Sequence, residues 1–495
     1  MTTEDSVLPA PVAADSPPRP SRQVAVPATP QVVLVSLLGG VVFDLAVRSG
    51  IVGVGGALAV VIMAAGLVVA GRPANRQAWA LSAAAPLFGV WLAVRTSPWL
   101  VPLDIMAALG LLLLASSLAR GGSVTDLGFG QAFARGSHAA WHLAAGPAYL
   151  RGVAGGRDRS VLIGLALAVP VVTTLGLLLG SADVVFASFV DSTSVPTHAL
   201  LLAAGIWGAA GLLRLARAKP ADQPGSPRRW LGGIEGLILL GAVSAVLVAF
   251  AAAQLIALSE GGQRVIETAG LTYAEYARSG FFQLLAVAAL NVALLLAVRA
   301  WVRPETDTMS RWVLISSEVT VMLTLSLVVV AFRRLSLYIE AFDLTMLRLF
   351  VGFFTVWIGV VLLLIAGYLA GLWRGRAWFG PACGASGLLI LLALNVMNPE
   401  AVVARYNLDR LDARTAERPT TRTPHFDLLY TAQLTDDAVP AIAETLADLP
   451  EASTERQALV SHLCEPRTDP PFHGWAAFNL ARSRARQALA TVCYG

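Results

Sequence analysis

The strongest constraint on this 495-residue chain is its succession of long apolar runs. A helix that crosses a bilayer needs roughly 20 predominantly apolar residues, and it must satisfy its backbone polar groups internally because hydrocarbon offers no partners. Runs of that kind recur at about 31–47, 51–71, 77–94, 99–118, 160–180, 197–216, 231–258, 281–301, 312–332, 346–371 and 377–396. They predict an all-α fold, a polytopic transmembrane bundle of about eleven helices. Charged residues make up only 14% of the chain, against about 25% in an ordinary soluble protein, so one large water-facing core is excluded. Pro86 and Pro170 fall inside runs, where neighbouring helices can satisfy the carbonyls they free.

Orientation follows from the distribution of arginine, because Lys219 is the only lysine. With the N-terminus in the cytoplasm, most loop arginines fall on the inner side, and the loop after the fifth run has none. Eleven crossings then leave the C-terminal segment outside the cell membrane. The formal net charge of +4 is spread without a basic block, which gives no basis for nucleic acid as a partner.

The remaining segments differ in composition. Residues 1–30 are rich in Pro, Ala, Ser and Thr and read as a disordered tail. They lack the basic start and apolar core of a signal peptide. The transmembrane domain is expected over 31–396, with an interfacial amphipathic segment at 121–159 in which His138 and His142 share a helical face. No acidic or cysteine third ligand lies nearby, so no metal site and no cofactor is assigned. Residues 397–495 are polar and punctuated by proline, with helical patterns at about 426–433, 437–448, 453–463 and 475–490. They predict a small helical C-terminal domain, extracytoplasmic in this orientation. Cys464 and Cys493 lie in it and form a candidate disulfide in an oxidising compartment, with two free thiols as the alternative. Cys383 lies in the last run and reads as a small apolar residue.

Unusual polar residues collect on the outer side in this topology. The candidate ligand-binding residues are Asp183 after the fifth run; Tyr273, Glu275 and Arg278 before the eighth; Arg333, Arg334, Tyr338, Glu340 and Arg348 between the ninth and tenth; and Arg405 and Asp409 after the last. Charges this close to bilayer depth are costly unless paired or wet, which makes them a functional-site hypothesis. Read as one helix, Arg333–Arg348 places Arg334, Tyr338, Thr345 and Arg348 on one face, opposite Leu335, Ile339, Phe342 and Met346. Such a face suits an anionic ligand or lipid head group, because arginine offers a planar fork to phosphate or carboxylate. The alternative is that these arginines pair with Glu340, Asp343, Glu275 or Asp183 and fix the loops to one another. Within the runs, Asp44, Asp104, Glu235, Asn291 and Glu318 are the polar intruders; Asn291 lies closest to the bilayer centre and is expected to hydrogen-bond another helix.

Four strings, LGSADVVFA, TYAEYARSGFFQLLAVAALN, RRLSLYIEAFDLTMLRLFVG and NPEAVVARYNLDR, resemble the domain-of-unknown-function 4173 family of bacterial multi-pass membrane proteins, which is related to the 4153 group. The likeness covers roughly 160–450. It implies a multi-pass membrane protein and carries over no catalytic residue.

There is no Walker loop, no His-Glu-x-x-His helix and no nucleophile elbow, so no catalytic residue is assigned. The first reading is a non-enzymatic sensor, scaffold or accessory protein. Its partners are the lipid bilayer, the anionic ligand or head group already described, and a membrane or extracytoplasmic protein. The alternatives are a transporter or lipid flippase, and a membrane enzyme acting on a lipid-linked phosphate.

Overall fold

The computed structural model describes residues 28–126, 129–150, 194–219, 231–257, 280–372, 378–416, 428–449, 453–465 and 474–494. Within them the chain is a helical bundle. Helices α1 (Pro30–Arg48), α2 (Val54–Gly66), α3 (Arg76–Gly89) and α4 (Val101–Leu118) form its N-terminal part. Helices α5 (Phe129–Ala144) and α6 (Gly146–Leu150) follow, then α7 (Ser194–Arg217), α8 (Gly233–Ala257), α9 (Phe281–Trp301), α10 (Asp307–Phe342), α11 (Met346–Leu369) and α12 (Phe379–Met397). The C-terminal segment is α13 (Pro399–Ala416), α14 (Leu428–Ala432), α15 (Val439–Asp448), α16 (Thr454–Leu463) and α17 (Leu480–Tyr494). Two-residue strands, Leu231–Gly232 and Val302–Arg303, pair in parallel and tie the start of α8 to the end of α9.

Among the described residues, 9 helices are long and apolar enough to cross a membrane: α1, α2 with its π-helical extension to Gly71, α4, and α7 to α12. The protein is membrane-embedded. Leu109, Val246, Leu255, Leu290, Met322, Leu363 and Leu389 all point outward from these helices, which a bilayer covers and water would not. The run at 160–180 lies outside the described residues, as do residues 1–27 of the expected tail. The run at 77–94 forms the 14-residue α3, with Pro86 inside it, followed by a single tight turn over Val90–Ala93.

Two apolar cores organise the bundle. One joins α1, α2, α3, α4 and α7 to the C-terminal segment through Val32, Leu112, Leu213, Val403, Ile442 and Leu459. The other joins α8 to α11 through Leu240, Phe281, Leu295, Leu327 and Leu362. Asn291 meets its expectation, because its amide donates to Thr324 Oγ1 on α10 at 3.3 Å.

The expectation of one helix over Arg333–Arg348 is corrected. Helix α10 ends at Phe342, Asp343 adopts φ 64°, and Thr345 caps α11 by accepting from the Arg348 N–H at 3.4 Å. Asp is among the few non-glycine residues that tolerate the left-handed side of φ, so the chain can turn there without glycine. Helix α10 has 36 residues, roughly 54 Å at 1.5 Å per residue, against a hydrocarbon core of roughly 30 Å. It is therefore longer than one straight crossing requires.

Candidate functional site

Helix α13 is the element around which the polar residues gather. Its N-terminal end enters a buried polar cluster, and its middle grips the break between α10 and α11. Asn398 precedes α13 in the left-handed region, φ 56°, and its amide donates to the Asp437 carbonyl at 2.9 Å.

The buried cluster joins four segments distant in sequence. Asp437, before α15, is 3% exposed, and its Oδ2 accepts from the backbone N–H of Thr96 at 2.6 Å and of Ser97 at 2.9 Å. Arg95 donates to Asp437 Oδ1 at 3.3 Å and, through Nε and Nη2, to the Asn395 carbonyl that closes α12 at 2.9 and 2.6 Å. Asp104 is wholly buried in the first turn of α4 and accepts from Asn395 Nδ2 at 2.7 Å. Asn479, before α17, donates to the carbonyls of Leu92 and Arg95 at 3.1 and 3.0 Å. The loop after α3 is thus held by three separate parts of the chain, because buried polar groups must find partners.

Glu400, in the first turn of α13, is 1% exposed and accepts from the Thr435 N–H at 2.7 Å and hydroxyl at 2.6 Å. The Thr435 and Thr96 hydroxyls stand 3.2 Å apart, and Thr96 Oγ1 lies 3.1 Å from Asp437 Oδ2. Two carboxyl groups are therefore bridged by two hydroxyls that have one proton each. With both carboxylates charged, each hydroxyl turns to its own carboxylate and the contact between them has no proton. A proton on Glu400 lets the chain run in one direction, from Glu400 through Thr435 and Thr96 to Asp437. Burial pushes the Glu400 carboxyl above its ordinary range, against its Thr435 and Ser97 hydrogen bonds, and the neighbouring Asp437 charge adds to the rise. Burial also raises Asp437, opposed by the Thr96 N–H and the Arg95 guanidinium.

The second junction holds the α10–α11 break. Asn407 makes reciprocal bonds with the Leu344 backbone, N–H to Oδ1 and Nδ2 to carbonyl, both at 2.9 Å. The Met346 N–H donates to Tyr430 Oη at 2.7 Å. Arg410 donates to the Glu340 carbonyl at 2.7 Å and lies 3.5 Å from Asp343 Oδ1. Arg348 donates to the Phe342 carbonyl at 2.5 Å and to that of Asp343, and its guanidinium lies 4.1 Å from the Tyr338 ring centroid. Helix C-terminal carbonyls lack intrahelical partners, so a cation is favoured there.

The candidate residues from the sequence divide accordingly. Tyr338 and Arg348 meet at the break. Arg334 donates to Gln254 on α8 at 3.1 Å. Arg405 pairs instead with Glu444 on α15, at 2.9 Å. Arg333, Glu340 and Asp409 are exposed. Asp183, Tyr273, Glu275 and Arg278 lie outside the described residues. Cys464 and Cys493 are joined by a disulfide, with Cα atoms 5.7 Å apart. In the sequence, Asp104 stands out only as a polar intruder within a run, Glu400 only as part of the NPEAVVARYNLDR string and Arg95 only as one more loop arginine, while Asp437 has no signal at all.

On α5, His138 and His142 meet Nε2 to Nε2 at 3.1 Å. Burial, then the charges of His138 and Arg214, hold the His142 imidazole down at about 4. Among the described residues no group of three or more His, Cys, Asp or Glu is arranged to hold a metal ion.

A family model, Domain of unknown function (DUF4153), matches residues 82–445. The chain belongs to this family. The matching model is that of the 4153 group rather than the 4173 group to which the motif strings point. The DUF4153 region includes Arg95, Asp104, the α10–α11 break, Glu400 and Asp437, while the disulfide lies beyond it. Neither the curated proteins nor the solved structures contain a match to the chain.

Proposed function

We propose that this DUF4153 protein is a non-enzymatic sensor, scaffold or accessory protein that offers a polar rim to a protein partner on the extracytoplasmic side. One observation carries the reading. Around the α10–α11 break the inward charges are used to anchor the chain, through Arg348, Asp343 and Arg410, while Arg333, Glu340 and Asp409 stay exposed on the same frame. A rigid anchor beneath a mixed-charge rim suits recognition of a complementary protein surface, where charge sets specificity and encounter rate. A single bound anion would gain from a rim of one sign, and this rim has both.

Sidedness is part of the proposal: N-terminus in the cytoplasm, α13 to α17 outside. The Cys464–Cys493 disulfide supports it, since such bonds persist in oxidising compartments.

The test is photo-crosslinking in cells from positions 333 and 340, with and without the double reversal Arg333→Glu and Glu340→Arg. The expected result is a discrete protein adduct from both positions that the reversal abolishes while insertion and the disulfide persist. Identical adducts in the reversed protein would remove the rim as a binding surface. Cys464 and Cys493 should react, after reduction, with a membrane-impermeant thiol reagent applied from outside. Reaction only after permeabilisation would overturn the sidedness.

A further inference from the structure

An apolar groove of about 340 Å³ lies between α11 and α12, beside the start of α4. That volume is within the roughly 300–1,000 Å³ usual for small-ligand pockets. Its walls are Leu103, Phe350, Phe354 and Trp357, and its floor is opened by Gly384 and Gly387. A Cβ on Gly384 would meet nothing within 4 Å, and one on Gly387 would stand 3.5 Å from the Trp357 indole nitrogen. The missing side chains help to open the groove, since a side chain at 384 would project into free space along its lining. The indole N–H of Trp357 already donates to Ser386 Oγ at 3.2 Å, so it needs no polar ligand.

Three features identify what fits. The groove is walled by helices α4, α11 and α12, all long and apolar enough to span a membrane, so its contents are exchanged with lipid and not with water. Along α12 it runs from Cys383 to Leu394, roughly 16 Å at 1.5 Å per residue, about half of a hydrocarbon core of roughly 30 Å. It therefore has the length of one leaflet. Its Leu394 and Leu103 end adjoins Asn395 and Asp104 in the buried polar cluster, and the Trp99 ring stacks 5.2 Å from that of Phe350 there. Tryptophan at this level is typical of the interface, where a head group would rest.

We propose that this groove holds one acyl chain of a bilayer phospholipid, from the leaflet on the side of α13. The chain fills the seam between the two apolar cores, and its head group lies at the level of Trp99.

The experiment uses the full chain, equilibrated with dioleoyl phosphatidylcholine vesicles, extracted into mild detergent and weighed by native mass spectrometry. The wild type should carry a single phosphatidylcholine through extraction. Gly384→Leu and Gly387→Leu should lose that peak. Gly241→Leu should keep it, because Gly241 has equally open space on α8, away from the groove. Retention by all four proteins, or by none, would overturn the proposal. So would a wild-type dimer that Gly384→Leu splits, which would give the groove to a second copy. Cys383 gives a readout without substitution, being in the groove wall and the free thiol beside one disulfide. A permeant maleimide should modify it more slowly in lipid-loaded than in stripped protein, and equal rates would count against an occupied groove.

Discussion

The two junctions between α13 and the bundle use the same chemistry at different depths. At the N-terminal junction, the Arg95 and Asp437 side chains are 12% and 1% exposed. At the α10–α11 break, Arg410 and Asp343 are 32% and 11% exposed. A third pair, Arg405 with Glu444, lies on the surface of the C-terminal segment at 57% and 68%. All three join an arginine to a carboxylate, so the difference between them is burial. Removing one partner from a dry pair leaves the other charge without compensation, whereas a wet pair returns its partners to water. Burial therefore predicts a gradient of cost that the distances, 3.3, 3.5 and 2.9 Å, do not follow, since they would put the exposed Arg405–Glu444 pair first.

The largest expected effect is at the dry end. Asp437→Ala strands Arg95 and frees the N–H groups of Thr96 and Ser97, and should cost about 3–5 kcal/mol. Thermal unfolding of the full-length protein in detergent measures it; a loss under about 1 kcal/mol would mean the cluster is wetter than its burial implies. Next comes Asn407→Leu at the second junction. It leaves the buried Leu344 N–H unpaired and should cost about 1–3 kcal/mol, with the α10–α11 break gaining protease sensitivity before the rest of the chain. If Asn407→Leu proved costlier than Asp437→Ala, hydrogen-bond geometry and not charge burial would set the order.

What the sequence makes legible follows the range of the forces involved. Apolar runs report bilayer crossing residue by residue, so 281–301 is Phe281–Trp301, whereas 312–332 lies inside the longer Asp307–Phe342 and 77–94 ends as a helix at Gly89. Amphipathic patterns serve the C-terminal segment equally well, with 453–463 observed as Thr454–Leu463. Helix α13 is missed because the charged and apolar residues of Pro399–Ala416 are interspersed without a strong apolar face, and it is held by what its N-terminal end and middle touch. The break at Asp343 has a local signal in Thr345, a capping residue just ahead of an apolar run. The Arg95–Asp437 pair has none, because its members are 342 residues apart and neither stands out in its own loop. Paired charges from distant segments are set by tertiary packing, which local pattern does not encode.

A smaller effect separates the dry junction from the wet ones by pH. Glu400 has its carboxyl raised by burial, so as pH climbs through the ordinary carboxylate range the folded state keeps this proton longer than the unfolded state does. Stability contributed by that proton is present below the ordinary carboxylate range and is lost as pH rises. The wild type should therefore unfold more easily at pH 8 than at pH 5, and Glu400→Gln should flatten that slope, because the amide keeps a neutral group beside Thr435. His142, held down at about 4, contributes the opposite trend between its usual value and there, so the measurement is best made on a His142→Phe background. A slope that Glu400→Gln leaves unchanged would remove Glu400 as the holder of the proton.

At the wet end, Arg405→Ala should cost about 0–1 kcal/mol, because both side chains are mostly in water and the pair is screened by salt. The double cycle with Glu444→Ala measures the coupling directly, and it should shrink further at high salt. The value of this small number is as a reference. If Arg405 and Glu444 couple as strongly as Arg95 and Asp437, burial cannot be what ranks the three pairs. The rim would then be an ordered charge network, and Arg405 would join Arg333, Glu340 and Asp409 as part of a preorganised surface rather than a solvated one.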